Sequence, residues 1–338
     1  METRSIGEYF DSRTNNFHVI RLLAALAVIY GHSYAITGVP GDDIFLRHVG
    51  FRFIGGVAVD VFFLISGFLI ASSLEHGTLL RYAAARILRI FPALFVCVSL
   101  CVFVVGPALT TVQDYWSQSA TWRYFFQNAF LLSTEYRLPG VFEQLPDKGV
   151  NGSLWSLPLE FRLYIFFFLL ALLGLMKPTR FSALVLIGLI IGYFEVPKYE
   201  ILVRYSTWVN STMFFMAGGF IWHHRYQIKL SFVAAVLVLF PCAAFIHTDR
   251  FAIPYAVALS YLTMFLAFVP RLPRIRERDL SYGVYLYGWP VAQLVQHFRP
   301  TTTATENTVI ACCISVLIAL ASWELIERPA LSLKRFVR

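Results

Sequence analysis

The chain has 338 residues, 58% of them hydrophobic and only 14% charged, with a mean hydropathy of +0.64. A soluble domain has nowhere to hide so many apolar runs, so the composition excludes an ordinary globular protein and points to an all-α, polytopic integral membrane protein. The net charge of +8 is spread over short connections rather than gathered on one domain, which sets nucleic acid aside as a partner and suits a positive-inside bias.

The first sixteen residues are polar and run into the first apolar segment with no small-residue cleavage site, so they read as a cytoplasmic segment ahead of an uncleaved anchor. That anchor, FHVIRLLAALAVIYGHSYAIT (Phe17 to Thr37), has the ~20 residues that one crossing needs. It carries Arg21 near its start and His32 near its end. An ionisable group at membrane depth costs ~2.5 kcal/mol or more, which makes each a site hypothesis. The plainer readings are a snorkelling interface anchor for Arg21 and a headgroup-level ring for His32. At 1.5 Å per residue the imidazole stands roughly 16 Å further along the helix than the guanidinium.

Nine more apolar segments follow, at about 53–74, 90–106, 156–176, 181–194, 206–222, 230–246, 252–269, 281–298 and 308–326. A bundle of ten crossings puts both termini on one side. With that side cytoplasmic, its ends and loops hold 18 Lys and Arg residues against 9 opposite, Arg162 lying within a helix, as orientation by positive charge requires. One long connection, 107–155, then lies outside, and 327–338 forms a cytoplasmic tail. The connection is rich in aromatics (Tyr115, Trp116, Trp122, Tyr124, Phe125, Phe126, Tyr136, Phe142), which suit sugar faces and an interfacial belt equally well. Gly188 and Gly192 form a GxxxG expected to pack helices. The five cysteines all fall in apolar stretches without metal-ligand spacing and read as packing residues, so no metal is expected.

The residues able to carry chemistry lie at matching depths. Asp60 is about two turns into the second segment and Glu160 about one turn into the fourth, level with His32 in the outer half. A histidine beside a carboxylate has the parts for general-base work, with Asp60 or Glu160 as the partner that holds the tautomer. Glu324 lies near the opposite face and reads as structural. On that face Arg86 and Arg89, three residues apart, project from one helix side in a pattern that suits bidentate phosphate binding or plain cytoplasmic charge.

In order along the chain these motifs resemble the acyltransferase family 3 membrane proteins. The motifs are Arg21 and His32 ten residues apart, DVFFLISGFLI (Asp60 to Ile70), the RxxR of Arg86 and Arg89, GSLWSLPLEFRLY (Gly152 to Tyr164), SYGVYLYGWP (Ser281 to Pro290) and ELIERP (Glu324 to Pro329). The resemblance spans nearly the whole chain as one domain and leaves no room for an appended soluble one. It implies transfer of an acyl group, usually acetyl, from cytoplasmic acetyl-CoA to a hydroxyl of a carbohydrate or glycolipid acceptor at the outer side. His32 would be catalytic, and Arg86 and Arg89 would be donor-binding, with Arg21 beside them. Acyl-CoA enters as a co-substrate, with no permanently bound cofactor. The fourth-segment Glu160 is followed by Phe161 and Arg162 rather than a second acid and Gln, a departure similar to the exopolysaccharide-modifying branch. The location expected is the bacterial inner membrane. Ser66, Trp155, Arg162, Tyr285 and Trp289 are candidates to line the tunnel or meet the acceptor, with helix packing the plainer role for Ser66, Tyr285 and Trp289. Two rivals stand beside this reading: a carrier for a lipid-linked sugar or small anion, and a scaffold without chemistry.

Overall fold

The computed structural model describes residues 4–12, 15–39, 43–194, 206–270, 272 and 278–337. Of the cations that orient the chain, Arg13, Lys198, Arg204, Arg271, Arg274, Arg276 and Arg338 lie outside the described residues. The described chain is almost wholly helical: α1 (Ile6–Asp11), α2 (Phe17–Thr37), α3 (Ile44–Val49), α4 (Ile54–His76), α5 (Leu79–Leu100), α6 (Gly106–Leu109), α7 (Ser119–Ala129), α8 (Ser156–Leu172), α9 (Pro178–Phe194), α10 (Ser206–His223), α11 (Phe232–Leu237), α12 (Leu239–Phe245), α13 (Ala252–Phe268), α14 (Ser281–Phe298), α15 (Ala304–Ser322) and α16 (Arg328–Ser332). Two-residue strands, β1 (Arg4–Ser5) and β2 (Lys229–Leu230), pair antiparallel and tie the start of the chain to the connection after α10.

Each of the ten apolar segments lies largely on helix, and among the described residues five helical runs are long and apolar enough to cross a membrane: Phe17–Thr37, Ile54–His76, Leu79–Leu109, Gly152–Leu172 and Ala304–Phe336. The helix carrying the RxxR pair starts at Leu79, eleven residues before the apolar segment does, because Thr78 caps it and its first turns are built from Ala and Arg. It then runs through a π turn at Cys101–Val105 into α6. The segment at 230–246 is broken into α11 and α12 at Val238.

At the centre stands α14, with 15 of its 18 residues buried. Its Ser, Tyr and Gln content keeps it off the set of five apolar spans, and its position explains why. A helix enclosed by protein has no lipid face and needs no continuous apolar surface. It packs on α2 and α15, and α4 also packs on α2. The connection 107–155 is ordered against the bundle: Tyr115, Tyr124, Leu138, Phe142 and Val150 are buried, while Trp116, Trp122, Phe126 and Phe130 form its exposed face.

The closest helix contact is between α4 and α10, and two glycines allow it. A β-carbon on Gly67 would collide with the Phe215 carbonyl, and one on Gly218 with the Leu64 carbonyl. Gly188 does not pack as its GxxxG motif suggests. A β-carbon there meets nothing within 4 Å, since Leu186, Ile187, Leu189, Ile190 and Ile191 around it are exposed.

Overpacking such a contact costs about 1–3 kcal/mol. Gly67→Ala and Gly218→Ala should each lower the melting temperature of the purified protein in detergent, and Gly188→Ala should leave it where it was. Equal shifts at all three positions would contradict this packing.

Candidate active site

The site is organised by a proline. Pro290, inside α14, has no N–H to offer the Leu286 carbonyl one turn back, and a freed buried carbonyl must find another donor. It finds the Asn151 side-chain amide at 3.0 Å and the Cys97 thiol at 3.5 Å. Around this point the segment 149–156 is clasped to the helix. Ser153 Oγ donates to Asn151 Oδ1 at 2.7 Å, while Trp289 Nε1 and Gln293 Nε2 donate to the Gly149 carbonyl at 2.9 and 2.7 Å. Gly152 makes room for Trp289, whose ring atoms would lie 2.5 Å from any β-carbon there.

The clasp sets Trp289 against His32. Their ring centroids are 4.6 Å apart, and Phe53 meets the other side of the imidazole edge-on at 5.2 Å. The imidazole faces the bundle interior, where Val28, Ile29, Tyr285, Gly288 and Trp289 join it around a small cavity.

A second cavity, with about 380 Å³ of empty space, is lined by Arg21, Phe62, Ser156, Glu160, Tyr282 and Tyr285 among others. Tyr285 is the residue common to both linings. Its hydroxyl donates to the Ser153 carbonyl at 2.8 Å and accepts from Ser156 Oγ at 2.6 Å, and its ring stands against Phe62 at 5.7 Å. Glu160 accepts hydrogen bonds from Ser66 Oγ at 2.8 Å and from the Tyr164 hydroxyl.

Below that cavity the charges divide. Arg21 and Arg89 converge on one Asp279 oxygen at 2.9 and 2.6 Å, and Arg89 also reaches Glu327 at 3.2 Å. Burial would raise the Asp279 pKa, but the two guanidiniums outweigh it and hold the carboxyl well below the usual carboxylate range. Arg86 has no carboxylate within ion-pair distance among the described residues. Its guanidinium lies over the Tyr82 and Tyr164 rings at 5.9 and 5.8 Å, and its buried Nε lacks a hydrogen-bond partner. The RxxR pair is thus one neutralised arginine and one open one.

Comparison with known proteins gives this arrangement a family. The model of the acyltransferase domain of family 3 matches residues 14–324. The chain belongs to acyltransferase family 3. It is 28% identical to an O-acetyl transferase of Shigella phage Sf6, over 95% of this chain and 97% of that one. It is also 28% identical to nodulation protein 10 of Rhizobium leguminosarum bv. viciae, over 97% and 96%. No solved structure matches it.

Within this acyltransferase the residues singled out from sequence part company. Asp60, expected from sequence at the depth of His32, keeps other company. It accepts from Tyr255 at 2.7 Å and Asn210 at 3.0 Å, and pairs with Arg52 at 3.2 Å, locking α4 to α10 and α13. Glu160 belongs to the Arg21 cavity, so neither carboxylate is brought to the imidazole, which is held between aromatic rings instead. Ser66 meets Glu160 rather than a cavity. Trp155 ends a 3-10 turn beside the cavities without lining either, and Arg162 is exposed, donating to the Leu132 carbonyl and lying over Trp208 at 5.5 Å. Glu324 is a surface ion pair with Arg278 and Arg328, as its structural reading requires.

Asp279, Glu327 and Asn151 were not among the residues picked from sequence. Asp279 stands in a charged connection, and Glu327 falls one residue past the last apolar segment, so neither looks buried. Glu327 does stand within the ELIERP motif, and for Asn151 the signal was Pro290 in an apolar segment, which announces a carbonyl in need of a donor.

Removing one side of a buried ion pair costs about 3–5 kcal/mol, because the other side is left uncompensated. Asp279→Asn should therefore lower the melting temperature in detergent by far more than Glu324→Gln does. The depressed pKa means that Asp279 stabilises fully above its unfolded value of about 3.9, and that this contribution is lost as pH falls through the folded value. The gap between wild type and Asp279→Asn should hold steady from about pH 8 to about pH 5 and narrow only in more acid solution. A gap that narrows near neutrality would contradict the assignment.

Proposed function

We propose that this acyltransferase carries an acyl group, acetyl in the first instance, from cytoplasmic acyl-CoA to a hydroxyl of a carbohydrate acceptor at the outer side of the bacterial inner membrane. One observation carries the reading: His32 lines a cavity in the bundle interior that abuts, across Tyr285, a second cavity lined by Arg21 and Glu160. A cation-edged chamber against one holding a lone imidazole is what a thioester from one face and an alcohol from the other require. The O-acetyl transferase name of the phage relative supports the acetyl group, and the motif resemblance supports the glycan acceptor. Ten crossings with both termini cytoplasmic remain the topology of this proposal.

The chemistry is a single displacement. His32 takes the proton of the acceptor hydroxyl as its oxygen attacks the thioester carbonyl. The C–O bond forms, the C–S bond breaks, and the proton passes from imidazolium to the departing CoA thiolate. Phe53 and Trp289 hold the ring in place, a positioning role that depth along the helices alone would assign to Asp60 or Glu160. Arg86, the open cation of the pair, meets the donor phosphates, while Arg89 and Arg21, already bound to Asp279, frame the site.

Purified protein in detergent, given labelled acetyl-CoA and an oligosaccharide, tests this directly, since a carrier would leave the thioester intact. His32→Ala should cut transfer by about 10²–10⁴-fold with no loss of melting temperature. Arg86→Ala should raise the KM for acetyl-CoA with little change in kcat, whereas Arg89→Ala should chiefly destabilise. Undiminished transfer by His32→Ala would overturn the proposal.

A further inference from the structure

We propose that Tyr285 is the partition of the acyl passage and sets the length of acyl group that reaches His32. This rests on the function proposed above and assigns within it a residue that selects the substrate. The observation is that Tyr285 is the residue common to both cavity linings, so the ring stands between the chamber of Arg21 and Glu160 and that of His32.

The ring is not free to swing aside. Its hydroxyl is tethered to the Ser153 carbonyl and to Ser156 Oγ, and Phe62 packs against its edge. Its backbone is fixed as well, since Asn151 grips the carbonyl of Leu286, the next residue. Gly288, one turn on, has no room for even a β-carbon against Ile29, so α14 cannot slide towards α2 to open the way. A wall fixed at both hydroxyl and backbone admits past its edge only what the remaining gap allows. Beyond Ser153, the lining on the His32 side is Val28, Ile29, Ile36, Gly288, Trp289 and Ala292, with few groups to reward a polar or branched acyl chain. A two-carbon acyl group extends little beyond its thioester carbon, whereas each added methylene presses on the ring.

The test is a ratio measured within one preparation, so that it does not depend on how much protein is folded. Wild type, Tyr285→Phe, Tyr285→Leu and Tyr285→Ala, purified in detergent, would be given acetyl-, butyryl- and hexanoyl-CoA with the same acceptor. Removing the ring in Tyr285→Leu and Tyr285→Ala should raise the butyryl to acetyl ratio of kcat/KM by about tenfold or more, the scale on which apolar pockets discriminate methylenes. Tyr285→Phe keeps the wall and loses only its tether, so its ratio should rise less than that of Tyr285→Leu. A general loss of packing would depress all three donors alike. Ratios unchanged in both Leu and Ala variants would overturn the partition while leaving the acyltransferase reading intact. A wild type that turned over none of the three donors would overturn both.

Discussion

Much of this molecule hangs on a hydrogen bond that a helix could not make for itself. Pro290 withholds an N–H from Leu286, and the carbonyl so released is satisfied by Asn151, at the head of the segment leading into α8. Without that donor a buried carbonyl in the middle of the bundle would keep only the weak Cys97 thiol. With it, three things are fixed together: the entry of α8, the rotation of α14, and the Trp289 indole that borders His32. A polar tract such as Asn151–Gly152–Ser153 is a poor membrane segment, and it survives because α14 is itself polar enough to receive it.

How much of this was legible beforehand follows from what a sequence encodes directly. The extent of α2 was legible to the residue, because an apolar run starts at Phe17 and Gly38 ends it in the left-handed region at φ 65°. Depth along a helix can be counted from sequence, at about 1.5 Å per residue. Azimuth was not legible. Asp60 and Ser66 lie on one helix six residues apart, which at about 100° per residue points them to different sides. One meets Tyr255 and Asn210, the other Glu160. Three ionisable groups at one depth therefore looked like one site, and the fold distributes them among three. The same limit applied at Gly188, where spacing suggested a contact and the position meets open space among the described residues.

The RxxR pair shows the limit from another direction. Arg86 and Arg89 share a helix face, and their spacing gives no reason to tell them apart. What separates them is supplied from distant parts of the chain, Asp279 before α14 and Glu327 in the π turn after α15. A wide π turn places Trp323 to Glu327 out of register with the helix before it, so counting along α15 would not have aimed Glu327 at Arg89.

Electrostatics then bears on how a polyanion can be received at this end of the bundle. Two carboxylates close to a phosphate would repel it, yet two carboxylates are what hold Arg21 and Arg89 in place. The conflict is eased by cations that the carboxylates do not consume. Arg86 has no ion-pair partner among the described residues, and Lys334 is near enough to Arg81, Arg86 and Arg89 to feel their charge. The turn Leu333–Phe336 that carries Lys334 packs against α5, so the tail reinforces the helix bearing the arginines. Division of labour resolves the conflict: Asp279 and Glu327 satisfy two guanidiniums that would otherwise be buried uncompensated, and the surplus positive charge is left for the donor phosphates of the proposed function.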